Sequence, residues 1–155
     1  MTIAPTLQRY LDRMITYEVV THTPTQSSMR TAEASHISGD CLAKGIVLRH
    51  NGGYMLAVLP ASHHISLSDL RAQIGNDVDL AAEREIDGLF QDCARGAIPA
   101  VGECYELDTI VDNSICDQPD VYMEAGDHMT LVHMKQAAFA RLTADAWHGR
   151  FSVHD

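Results

Sequence analysis

The sequence predicts a single α/β domain built on a mixed, largely antiparallel sheet with helices around it. Three observations carry that expectation. Short apolar runs of strand length are interspersed irregularly with segments of helical periodicity. Two of the runs flank an Asn-Gly turn, the strongest local signal for a hairpin. The remaining runs suggest hairpins rather than regular βαβ crossovers.

Leu7, Leu11 and Met14 recur at helical spacing behind Pro5, so residues 5–15 should form an amphipathic helix. Tyr17 to His22 follows as a strand, ended by Thr23-Pro24-Thr25, and Gln26 to Ser35 as a short helix leading to a loop through Ser38-Gly39-Asp40. Cys41 to Leu48 and Tyr54 to Leu59 are the hairpin arms, joined by His50-Asn51-Gly52-Gly53. Ser66 and Asp69 resemble a capping box before Leu67, Leu70 and Ile74, and Gly75 supplies the stop. Val78 to Ala81 is a short extended piece, and Ile86, Leu89 and Phe90 again have helical spacing. A loop over 96–102 precedes strands at Leu107 to Val111, Val121 to Glu124 and Met129 to Met134. A helix over Gln136 to Thr143 closes the pattern, leaving 143–155 as a polar tail with a lone Trp147.

At 155 residues and 46% hydrophobic content, the chain is the size of one compact soluble domain. No segment approaches the apolar length of a membrane span, and the Met1 to Pro5 region lacks an export signal, so the expected location is the cytoplasm. The four cysteines lack zinc-ribbon or redox spacing and should be reduced thiols packed as small hydrophobes. Nine histidines include no H-E-x-x-H pattern, and His63-His64 falls in a polar segment, so a metal site would need distant residues. A net charge of −10 argues against an extended nucleic-acid groove and against DNA as a partner.

Lys44 is the residue that does not fit its surroundings. It is one of two lysines and interrupts an apolar run in which Leu42, Ile46 and Leu48 share its face. A buried ammonium needs a partner, so Lys44 should either snorkel to an edge or meet an anion in a pocket. Gly45 beside it would let another strand or a ligand approach the backbone.

Lys44 in its strand, the hairpin ending in Pro60, the helix after Ser66-Leu67-Ser68-Asp69, the Gly96-Ala97-Ile98-Pro99 loop, the Thr109 to Asp112 strand and the Gly126-Asp127-His128 turn stand in a telling order. In order and spacing they resemble the YbaK/prolyl-tRNA synthetase-associated domain family, over roughly Tyr17 to Leu142. The resemblance implies a mixed-sheet, barrel-like α/β core. It also implies hydrolysis of amino acids wrongly attached to tRNA, in trans, without cofactor or metal. Lys44 would inherit the functional lysine's place by the terminal adenosine and the aminoacyl ester. Gly45, Gly96, Ala97, Ile98, Pro99, Gly102, Gly126 and His128 would form the substrate-binding surround. Relatives often carry a glycine two residues after the loop proline, whereas Gly102 comes three after Pro99. Some relatives that remove alanine have Asn where this chain has Gly45, so the amino acid stays open.

The implied partners are the acceptor end of a mischarged tRNA and an aminoacyl-tRNA synthetase, with no membrane. Two alternatives remain: a non-catalytic adaptor of the same fold, and a metal-dependent hydrolase using several histidines. The charge balance yields a test of how RNA is met. With 11 basic residues against 21 acidic ones, few cations are free to neutralise phosphates. Binding of uncharged tRNA should therefore be weak, with a shallow dependence of affinity on salt. A steep slope in a salt titration would overturn this.

Overall fold

The computed structural model describes residues 2–155, and Met1, the first residue of the expected domain, lies outside them. Helix α1 (Pro5–Met14) has proline in its first turn and buries Leu7 and Leu11, as the spacing predicts. Strand β1 (Glu18–Thr21) and helix α2 (Ser28–Ser35) follow, and the Ser27 side chain caps α2 by accepting the N–H of Arg30. Strands β2 (Leu42–His50) and β3 (Gly53–Pro60) form the hairpin. Asn51 and Gly52 both take left-handed backbone, φ 50° and 83°, which matches the type I′ turn expected of Asn-Gly.

Beyond the hairpin come β4 (His63–Ile65) and α3 (Leu67–Ile74), capped by Ser66 through the Asp69 N–H and ended at Gly75, φ 107°. Next are β5 (Val78–Leu80), α4 (Glu83–Leu89) and a 3-10 turn over Glu103–Tyr105. Then come β6 (Asp108–Asp112), α5 (Asn113–Cys116), β7 (Asp120–Glu124), β8 (Thr130–Lys135) and α6 (Gln136–Leu142). The chain ends with β9 (Trp147–Gly149) and β10 (Ser152–His154).

The main sheet runs β1-β8-β7-β2-β3-β6-β9, with β5 pairing β2 beside that path. The β2–β7, β3–β6 and β6–β9 pairs are parallel, and the others in this sheet are antiparallel. Strand β3 lies between β2 and β6 and is buried without interruption from Met55 to Pro60, which is why its sequence is a continuous apolar run rather than an alternation. Helices α1 and α6 pack with the face of β2 that carries Ala43 and Val47 into the largest core cluster. No helix among the described residues is long and apolar enough to cross a membrane.

The sequence reading of 143–155 as a polar tail needs correction. The segment supplies β9 to the main sheet, and β10 pairs with β4 in a separate two-stranded ladder, so the polar His63-His64 stretch is a strand as well. Strands of three residues are too short to show alternation, and the conspicuous Trp147 is half exposed. The anchor is Phe151, fully buried among Leu48, Leu59 and Leu70. Its N–H donates to Asp112 at 2.8 Å, and its carbonyl accepts the Ser66 N–H at 2.6 Å. Phe151→Ala should therefore cost about 3–5 kcal/mol, read as a fall in the urea midpoint. A change below about 0.5 kcal/mol would show that the segment is peripheral.

Candidate functional site

The site arises where the sheet divides. Strand β7 pairs with β2 through Leu42 and Ala43, whereas β5 pairs with it through Leu48 to His50. Between them, Lys44 to Ile46 have no strand partner on that edge among the described residues. A cavity of about 270 Å³ occupies the gap, with Lys44, Gly45, Ile46, Gly96, Ile98 and Glu124 in its lining.

Lys44 is half-buried, on the face it shares with Leu42 and Leu48. Its ammonium rests on the rim segment after β3, donating to the Ala61 carbonyl at 3.3 Å and the His63 carbonyl at 2.5 Å. Burial lowers its pKa, and the Asp155 carboxylate opposes that shift. Two neutral carbonyls solvate the charge without neutralising it, so an anion reaching the cavity would still find a cation there.

Gly45 admits the glycine loop. A Cβ here would lie 2.9 Å from Leu56 Cδ1 and 3.2 Å from the Pro99 carbonyl oxygen. Gly96 takes φ 77°, and a Cβ on it would press within 3.2 Å of the His128 ring. The loop is fastened to the β7–β8 turn twice. Ala94 N–H donates to the Gly126 carbonyl at 2.8 Å, and His128 Nε2 hydrogen-bonds the Arg95 carbonyl. Gly126 and His128 thus stand behind the loop as a buttress and outside the lining. Ala97 is buried beneath it, and Gly102 lies farther along, packed against Leu107 and Thr109.

Sequence reasoning missed Glu124, which it read only as the end of a strand. The residue is 5% exposed, lines the cavity, and its Oε2 has no hydrogen-bond partner among the described residues. Burial raises its pKa, and the Thr31 hydroxyl, His22 and His128 pull it back. His22 Nε2 is also buried without a hydrogen-bond partner among the described residues. The available signal was the one that exposed Lys44: a charge in an apolar strand run, Val121-Tyr122-Met123-Glu124, directly before a glycine turn.

The thiols are held toward their protonated, less nucleophilic form. Burial pushes Cys93 up to about 11 and Cys104 up to about 12, and raises Cys41 and Cys116 as well. His133 stacks on Tyr122, with ring centroids 4.3 Å apart, and bonds Asp120, so it is a satisfied structural histidine. Asp40, His63 and His154 are close enough to hold a metal ion, but none of them lines the cavity.

A model of the aminoacyl-tRNA editing domain family matches residues 22–142. No curated protein sequence matches significantly. Among solved structures, one described as a "putative trans-editing enzyme for prolyl tRNA synthetase" superposes with a TM-score of 0.84 at 20% identity, covering 98% of this chain and 99% of that one. A hypothetical protein of known crystal structure gives 0.84 at 18% identity, covering 96% and 99%. A signal transduction protein from Marinobacter aquaeolei, so described provisionally, gives 0.77 at 21% identity, covering 96% of this chain but 30% of that one. At these identities the likenesses establish the fold.

Glu124 yields a stability test. Its raised folded-state pKa means the native protein binds this proton more tightly than the unfolded chain does. The residue therefore costs least stability below the unfolded glutamate value of about 4.3 and progressively more as pH rises toward its folded value. Glu124→Gln should be more stable than the parent at neutral pH by on the order of 1 kcal/mol, with the difference shrinking toward acid. Denaturant melts across pH check this, and a variant less stable at pH 7 would show that Oε2 has a partner.

Proposed function

The chain belongs to the aminoacyl-tRNA editing domain family, and from that premise we propose that it is a trans-acting deacylase. It would hydrolyse the ester between a small noncognate amino acid and the terminal ribose of a mischarged tRNA. The observation that carries the reading is the charge pattern of the cavity, with Lys44 on one wall and, on another, buried Glu124, whose Oε2 has no partner among the described residues. An aminoacyl-tRNA end presents the complement: an α-ammonium for the carboxylate, and a phosphate or polarised ester carbonyl for the lysine. A space of about 270 Å³ suits a small side chain.

The chemistry asks little of the protein, because an aminoacyl ester is already activated. Water attacks the carbonyl carbon, the ester C–O bond breaks, the ribose oxygen takes a proton and the amino acid leaves. Holding the ester against the loop and stabilising the developing oxyanion are then the main contributions. The N–H groups of Gly96 and Ile98 in the loop and of Gly45 on the open edge of β2 would supply amide donors, and Lys44 the positive charge. The Asp40, His63 and His154 cluster lies outside the cavity lining, and the reaction is proposed to proceed without a metal. The expected setting is the cytoplasm, with residues 1–155 acting as one editing domain and a synthetase as a possible second partner.

One observation favours the adaptor reading: Lys44 already bonds two carbonyls, as a purely structural lysine would. A deacylation panel across mischarged tRNAs separates the two. On the substrate that is turned over, Lys44→Ala should reduce the rate roughly tenfold or more, equivalent to about 1.4 kcal/mol of transition-state stabilisation, with the fold retained. Chelator should leave turnover unchanged. An inactive parent across the panel would support the adaptor, and full activity of Lys44→Ala would remove the lysine from the mechanism.

A further inference from the structure

We propose that Asp40, His63 and His154 form a binding site for a divalent transition-metal ion of the zinc class, which fastens β10 to β4. One candidate ligand atom from each residue falls within 4.8 Å of the others. The three come from distant parts of the chain: the turn before β2, strand β4 and strand β10. Two imidazoles and one carboxylate form a donor set that suits zinc, with water completing a tetrahedron.

The fold builds this arrangement rather than leaving it to three mobile side chains. His63 and His154 are register partners in the β4–β10 ladder, so both rings stand on one face of it, with centroids 5.1 Å apart. Asp40 is drawn to them from the neighbouring turn. Ser62 N–H donates to the Gly39 carbonyl at 3.2 Å, and the Ser62 hydroxyl donates to Asp40 Oδ1.

Each ring is also held by its other nitrogen. His63 Nδ1 lies 2.8 Å from Ser152 Oγ, and His154 Nδ1 lies 2.9 Å from the Asp155 carbonyl oxygen. His154 Nε2 meets Asp40 Oδ1 at 3.1 Å. Such outer partners orient both rings, and the Asp155 carbonyl, which can only accept, makes His154 Nδ1 the donor and leaves Nε2 as the ligating atom; contacts of this kind are the usual company of metal-binding histidines.

The site has a mechanical task. The β4–β10 ladder contains three residue pairs, and an isolated two-stranded ladder of that length is marginal in water. An ion joining both strands to the Asp40 turn would brace it. The ion would stay outside the cavity, whose lining contains none of the three ligands.

The test is calorimetric titration of Zn²⁺ into protein purified without an affinity tag and stripped with chelator, beside thermal melts with and without Zn²⁺. The expected result is one equivalent bound, with a rise in Tm on loading. His154→Ala and Asp40→Asn should each weaken binding at least about tenfold, and Cys41→Ser, beside Asp40, should leave it unchanged. His154 is exposed, so its variant should fold normally. Absence of a stoichiometric site, binding that survives in both variants, or loss confined to Cys41→Ser would overturn the assignment. Because the readout is binding and melting, the result is independent of whether the protein deacylates tRNA.

Discussion

The register of the β2–β3 hairpin is the constraint on which the rest of the structure depends. Eight residue pairs, from Ala43↔Pro60 to His50↔Gly53, are aligned by a two-residue turn that requires left-handed backbone at Asn51 and Gly52. Side chains alternate faces with period two, so a slip of one residue would turn every one of them over. Lys44 would then enter the main core beside Val58 and Val111. Gly45 would no longer face the Pro99 carbonyl, and a Cβ would meet the loop instead. The turn thus specifies both where the charge stands and how closely the glycine loop can approach.

Around that hairpin the protein keeps several local arrangements that do nothing for stability. Glu124 is buried with one oxygen unpaired among the described residues, and Lys44 is desolvated against neutral carbonyls. Residues Gly96, Gly126 and His128 all hold positive φ at the loop and turn beside the cavity. Each feature alone has a structural explanation. Their concentration around one gap in the sheet is what favours the proposed binding site over a packing defect, because strain and unpaired polar groups persist where surrounding structure holds them.

The sequence disclosed whatever is decided locally. The hairpin, the Ser66 cap, the Gly75 stop and the anomaly of Lys44 each depend on residues within a few positions of one another. Strands β4, β9 and β10 were hidden because their stability comes from partners far along the chain, such as Asp112 receiving the Phe151 N–H. The juxtaposition of Asp40, His63 and His154 was hidden for the same reason, since their separation in sequence gives no periodic signal. Glu124 differs: it carried the same local anomaly as Lys44, but it stands at a strand end, with apolar residues of the run on one side only. Lys44 was legible because apolar residues continue on both sides of it.

The surface charge bears on how such a cavity would meet RNA. Arg49, Arg71, Arg95 and Lys135 each have a carboxylate within 4.0 Å, from Glu85, Asp79, Asp87 and Asp120 respectively. Exposed pairs of this kind add little to stability, but they change what a phosphate encounters: a cation already accompanied by negative charge. Counterion release, the usual source of affinity for nucleic acid, should be correspondingly small. Under the deacylase reading, discrimination would then fall on the few groups of the cavity wall, where desolvation makes each charge count for more. A domain of this kind would read the aminoacyl ester closely and the body of the tRNA hardly at all, leaving tRNA identity to whichever partner delivers it.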